Sequence, residues 1–143
     1  MKVRRKFDTF FFGMGGADRL LVCEAILALT VARLIVMTVP FRVIEPWLSR
    51  APATGVCDEV LLLSVRKAVT TAARNVPWNA VCMPQAIAAK AMLARRGCGS
   101  SFHLGADLDA GGKLVAHAWL VVGDTIVVGS AGIAGVTPLA RFG

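Results

Sequence analysis

Val81-Cys82-Met83-Pro84-Gln85-Ala86-Ile87-Ala88-Ala89-Lys90-Ala91-Met92-Leu93-Ala94-Arg95-Arg96-Gly97 is the stretch whose reading decides the fold. Its alanine-rich body is a strong helix former, and Pro84 fits a first turn, where its missing N–H is not needed. Gly97 stands where a left-handed C-terminal cap is required, so the residues predict a helix from Cys82 to Arg96. Beyond Gly97 the character changes. Ser101 to Leu108, Lys113 to Val122 and Thr125 to Val128 are β-rich runs separated by Asp109-Ala110-Gly111-Gly112 and by Gly123-Asp124, which predicts an antiparallel meander. The tail from Gly129 to Gly143 is glycine-rich and weakly patterned, and is expected to be loop.

Working back from Cys82, the chain is helical in pattern. Asp58 is placed to cap a helix reaching about Asn75, with Val60, Leu61, Val65, Ala68, Val69 and Ala72 on one side and Arg66, Lys67 and Arg74 opposite. Pro40, Pro46, Pro52 and Gly55 break the preceding stretch into a turn and a short helix around Glu45 to Arg50. Before them, Asp18 stands as an N-cap for a long helix running to about Val39, stopped by Pro40. Leu20, Cys23, Leu27, Val31 and Leu34 recur near helical spacing, and apolar residues fill its other faces too, as expected of a helix covered on several sides. Helices first and strands afterwards make an α+β fold. At 143 residues the chain is expected to be one domain, with a basic, phenylalanine-rich tail over 1–17, a helical extension over 18–50 and the core over 58–143.

Composition narrows the function classes. With 56% hydrophobic and 17% charged residues the chain has the makings of a packed core and not of a disordered segment. Lysine and arginine exceed aspartate and glutamate by 16 to 9, a net charge of +7. Lys2, Arg4, Arg5 and Lys6 concentrate part of that excess and point to an anionic partner: an acidic peptide, a nucleic acid or a membrane surface. Leu20 to Pro40 is long enough to span a bilayer, but Glu24 and Arg33 within it argue for a buried or surface-lying helix, which leaves a peripheral membrane contact open. The cysteines at 23, 57, 82 and 98 form no CxxC pair and no Cys/His cluster with metal-ligand spacing, so no metal is expected. No secretory signal precedes them, so disulfides are not indicated and a reducing cytoplasm is the expected compartment.

Two residues carry a candidate chemistry. Cys82 opens a helix, where free N–H groups and the positive end of the helix dipole stabilise a thiolate and can cradle an oxyanion. His117 lies early in a strand whose alternation sets Val115, His117, Trp119 and Val121 on one face. A thiol at a helix start with an imidazole presented from a sheet is the pairing that nucleophilic catalysis needs. Cys23, Cys57 and Cys98 lack that placement and read as structural. A third group should orient the imidazole. Counting back from a two-residue turn at Gly123-Asp124 sets His117 opposite Ser130, and a short connection through residues 109 to 112 sets Asp107 on the wrong face. Ser130, a backbone carbonyl or an aspartate in a different register all remain open. Trp78 and Asn79 stand just before the helix, either lining a cleft or serving as core anchor and cap. Trp119 either walls the site or packs. Arg95 and Arg96 either meet an acidic stretch of substrate or are ordinary last-turn residues.

Taken together, Pro77-Trp78, Cys82-Met83-Pro84, the Leu93 to Gly97 segment LARRG and Ala116-His117-Ala118-Trp119, in this order and spacing, resemble the lasso-peptide biosynthesis B2 proteins. These are a bacterial branch of the transglutaminase-like cysteine peptidases, and Glu24 and Arg33 inside the first helix fit the same pattern. The resemblance implies a papain/transglutaminase-like core and a peptidase, without cofactor, that removes the leader from a ribosomally made precursor peptide before a separate cyclase closes a macrolactam. It implies Cys82 as nucleophile and His117 as base. It also implies a peptide substrate and not a nucleic acid, and a separate leader-recognition protein, because only the long helix precedes the core. The family often has an acid on the strand after the histidine, about where Gly129 stands. The alternatives are an acyl transferase using the same cysteine and histidine, and a non-catalytic binding or membrane-associated protein built around the first helix.

Overall fold

A computed structural model describes residues 13, 15–50, 57–78, 81–129 and 136–142. Four helices, α1 (Gly16–Thr38), α2 (Phe41–Leu48), α3 (Glu59–Asn75) and α4 (Cys82–Arg95), precede four strands, β1 (Ser101–Leu108), β2 (Leu114–Val122), β3 (Thr125–Val128) and β4 (Thr137–Phe142). The α+β reading holds. Three of the strands form the expected meander, but the sheet order is β3-β2-β1-β4. The tail expected to be loop therefore supplies a fourth strand, which pairs antiparallel with the free edge of β1 through Phe102↔Phe142 and Ala106↔Thr137. Pro138 and the neighbouring glycines hide it in the sequence, and an edge strand is where a proline is tolerated.

The helix ends follow from local chemistry. Asp58 caps α3, its carboxylate accepting from the Val60 N–H at 3.2 Å. Gly97, at φ 71°, closes α4 with the Cys98 N–H donating to the Leu93 carbonyl at 3.0 Å. Two boundaries differ from expectation. Gly15 and not Asp18 is the cap of α1, which leaves Asp18 as a favourable negative charge in the first turn. The short helix begins at Phe41, directly after Pro40, so that Ile44 and Leu48 can be buried.

α4 is the central element. Its residues Ala86, Ile87, Ala88, Ala89, Met92 and Leu93 are buried, with α1 and α3 on one side and the sheet on the other. Phe102, Ala118 and Leu120 form the helix-facing side of the sheet. Small alanines let the helix sit close to that face. Arg66, assigned to the outer face of α3, instead donates to the Val127 carbonyl (2.9 Å) and the Ile126 carbonyl of β3, tying helix to strand. Lys90 is buried on α4, and its ammonium donates to the Ser100 carbonyl at 2.8 Å. Burial without a carboxylate partner lowers its pKa.

Two expectations are corrected. α1 is covered on one side only: Val22, Ala25, Leu29 and Ala32 are buried, whereas Leu20, Cys23, Leu27, Val31 and Leu34, the stripe read from the sequence, face solvent. Its 18-residue apolar window, of mean hydropathy 2.3, meets the length and composition of a membrane span. Glu24 is nevertheless held by Arg95 at 3.0 Å and Arg96 at 2.7 Å, and Arg33 lies over the Trp78 ring at 5.7 Å, so both charges serve packing within the domain. Secondly, Cys57 and Cys98, expected to be free, form a disulfide across a Cα–Cα distance of 5.3 Å, joining the entry to α3 with the exit from α4. The fold brings them together because α3 and α4 pack side by side, which no local spacing reveals.

Candidate active site

Cys82 is the first residue of α4 and is half-buried. Val81 at the cap position has no side-chain oxygen to occupy the first-turn N–H groups, and the first turn carries no acidic residue. The positive end of the helix is therefore not neutralised by the helix's own residues. Packing of α4 against β2 brings the Cys82 Sγ to 3.9 Å from the Ala116 carbonyl oxygen, the carbonyl that leads into the His117 amide. The thiol thus lies against the peptide unit that joins Ala116 to His117. Cys23, the other free cysteine, is exposed on α1.

His117 pairs with Gly105 in an unbroken β1–β2 ladder. It shares a face with Val115, Trp119 and Val121, as the alternation predicts, but this is the side of the sheet opposite Ala118 and Leu120, which face α4, so β2 does not present the imidazole toward the packed face of that helix. Trp119 is buried there and stacks on its cross-strand partner His103, with centroids 5.4 Å apart and planes 15° apart, so it packs the wall beside His117. Burial, and secondarily the Arg141 charge, lower the His103 pKa and favour its neutral form.

The register around His117 differs from the count made along the sequence. The turn at Gly123-Asp124 does set Val122 opposite Thr125, but a bulge between Leu120 and Val121 then moves the ladder on by one, giving Leu120↔Val128. The shift removes the inference that His117 faces Ser130, which itself lies outside the described residues. On the other side, Asp107 pairs with Val115 and Gly105 with His117, so Asp107 is on the same face as the imidazole and not on the wrong one. The cause is Asp109. Its carboxylate accepts from the N–H groups of Gly111 and Lys113, both at 2.9 Å, and Gly112 takes φ 77°, which closes the turn one residue later than counted. A one-residue change of register exchanges the faces.

Gly129 is held at φ 86°, and a Cβ there would lie 2.5 Å from the Ala118 oxygen and 2.8 Å from the Trp119 Cβ. No acidic side chain fits this position. Gly105, directly across from His117, is equally constrained: a Cβ would overlap the Val136 side chain and the Trp119 ring. Trp78 is half-buried beneath Arg33, outside the hydrophobic core, with its indole N–H buried and without a hydrogen-bond partner among the described residues. Asn79 lies outside them. Arg95 and Arg96 are engaged with Glu24, whose pKa is lowered chiefly by its hydrogen bond from Arg96, while that of Arg96 is raised by the same bond. No group of three or more histidine, cysteine, aspartate or glutamate side chains suited to a metal occurs among the described residues.

The model of the transglutaminase-like superfamily matches residues 25–141. The chain belongs to the transglutaminase-like superfamily. No curated protein and no solved structure matches it. The match begins inside α1 and ends in β4, so the transglutaminase-like domain takes in most of the helical extension as well as the core. Members of this superfamily are typically cysteine-dependent enzymes, peptidases and acyl transferases among them.

Proposed function

We propose that this transglutaminase-like protein is a cysteine peptidase that removes the leader from a ribosomally made lasso precursor peptide, with Cys82 as nucleophile and His117 as general base. One observation carries the proposal: the Cys82 thiol, at an uncapped helix start, sits 3.9 Å from the carbonyl preceding His117. His117 takes the thiol proton, and the thiolate attacks the scissile carbonyl carbon. First-turn N–H groups of α4 stabilise the oxyanion. The imidazolium returns its proton to the departing amine, which is the new N-terminus of the core peptide, and water, deprotonated by His117, then hydrolyses the thioester. The freed amine is the group a separate cyclase needs to form a macrolactam, and a separate leader-recognition protein presents the substrate.

The test is mass spectrometry of a precursor peptide incubated with the leader-recognition protein and wild type, Cys82→Ala or His117→Ala. Cleavage at one bond by wild type alone supports the dyad. Cleavage that survives Cys82→Ala removes it, and a joined product in place of two fragments assigns the chain to acyl transfer.

A further inference from the structure

The outward face of α1 is unusual for a soluble helix. Leu20, Leu27, Val31, Leu34 and Met37, with Val43 of α2, are between 46 and 75% exposed. They form a ridge about 25 Å long at 1.5 Å per residue. Leu20, Leu27 and Leu34 recur every seven residues, with Cys23, Thr30 and Met37 at the intervening positions and the Thr30 hydroxyl turned back onto the Ile26 carbonyl, the spacing of a helix seam that packs on another helix. Three of these residues, Leu27, Val31 and Val43, also wall an apolar groove of about 550 Å³, completed by Ile35, Trp47 and Met92 and by the small residues Ala28, Ala32, Ala88 and Ala91. Small residues let a second helix approach closely.

We infer that this face is the interface of a homodimer in which α1 of each copy lies in the groove of the other. A ridge bordering a groove on one surface is self-complementary about a two-fold axis: what protrudes from each copy fills what is recessed in its partner. The size also fits. The six side chains expose roughly 650 Å² per chain, so about 1,300 Å² would be buried in all, within the range of stable interfaces and beyond the apolar patch a monomer usually tolerates. The charged groups lining the groove, Glu24 and Arg95, are paired with each other, which is the mixed rim of a protein interface and not the cationic collar of a lipid-binding one.

The test is sedimentation velocity on the full chain over about 1–100 μM, a range that brackets ordinary dimer affinities, for wild type and for Leu27→Glu/Leu34→Glu. Both positions are more than half exposed, so the fold is expected to survive, with circular dichroism as the check. The expected result is a wild type at twice the 15.1 kDa chain mass and a monomeric variant of unchanged helicity. Should the variant misfold, alkylation of wild-type Cys23, exposed within the seam, reads the same face: it should slow at least fivefold as concentration rises through the dimer range. A wild type monomeric throughout overturns the inference. So does a dimer that persists in the folded variant, or a monomer that floats with phosphatidylglycerol vesicles, which would make lipid the occupant. Cys23 alkylation independent of concentration counts against it equally.

Discussion

Reduction of the Cys57–Cys98 disulfide should cost this domain about 4 kcal/mol. The bond joins residues 41 apart in sequence, and loop-closure entropy for a loop of that size is roughly 13 cal/mol/K, or about 4 kcal/mol at 25 °C. Near the midpoint, an unfolding entropy of about 2.1 cal/mol/K per residue converts this into a fall in Tm of roughly 13 °C for a chain of 143 residues. The assay is thermal unfolding by circular dichroism of the same preparation with and without a reductant, in parallel with alkylation under denaturing conditions. Two alkyl groups, on Cys23 and Cys82, are expected before reduction and four after. Four before reduction would show that the bond does not form. Two before and four after, with Tm unchanged within about 2 °C, would refute the entropic reasoning, because the link would then constrain an unfolded chain that is already compact.

Further outcomes follow from the charged groups and from the constraints around His117. Glu24→Gln should destabilise by about 1 kcal/mol at neutral pH. Because the folded Glu24 pKa lies below its unfolded value of about 4.5, wild type loses this advantage as pH falls through the folded pKa, which urea titrations at several pH values would read. Lys90 gives a slope of the same sign in the alkaline range: its folded pKa lies below 10.5, so between the two values the unfolded chain holds the proton and stability rises with pH, a rise that should be missing in Lys90→Met. Gly129→Asp should lower stability by about 2 kcal/mol or more and leave peptidase activity no higher, since φ 86° and the Ala118 oxygen exclude the side chain. Asp107→Asn should lower the cleavage rate about tenfold or more without changing Tm appreciably; an unaltered rate would remove Asp107 from the reaction.

The elements built on one local rule were legible in the sequence. Asp58, Pro84 and Gly97 mark helix boundaries by capping chemistry, and the structure places α3 and α4 where they indicate. The side α1 buries was not legible. Val22, Ala25, Leu29 and Ala32 are apolar, but so are Leu20, Leu27, Val31 and Leu34, and only the positions of α3 and α4 decide which set is covered. The strand β4 failed for a related reason: a short edge strand paired on one side needs little alternation of its own, and its partner β1 lies more than thirty residues earlier. The Cys57–Cys98 bond likewise depends on helix packing and not on spacing.

The surroundings of His117 show how small local features govern what a strand histidine can meet. The alternation of β2 was read correctly, because period two needs no partner strand. Which residues lie across from it depended on one turn and one bulge, each of which carried one residue that a simple count omits. The Asp109 carboxylate, bonded to two backbone N–H groups, shifts β1 by one position and brings Asp107 onto the imidazole face. The bulge at Leu120 and Val121 shifts β3 in the same way. Gly129, folded against Ala118 and Trp119, leaves no room for an acid on the strand after the histidine. Within the described part of the sheet, the carboxylate on the face of His117 is therefore on the strand before it, two residues along from Gly105, at a diagonal Cβ separation of about 7–8 Å. That separation is within the combined reach of an imidazole and a carboxylate. In the structure one Asp107 carboxylate oxygen accepts from the Leu108 N–H at 2.7 Å.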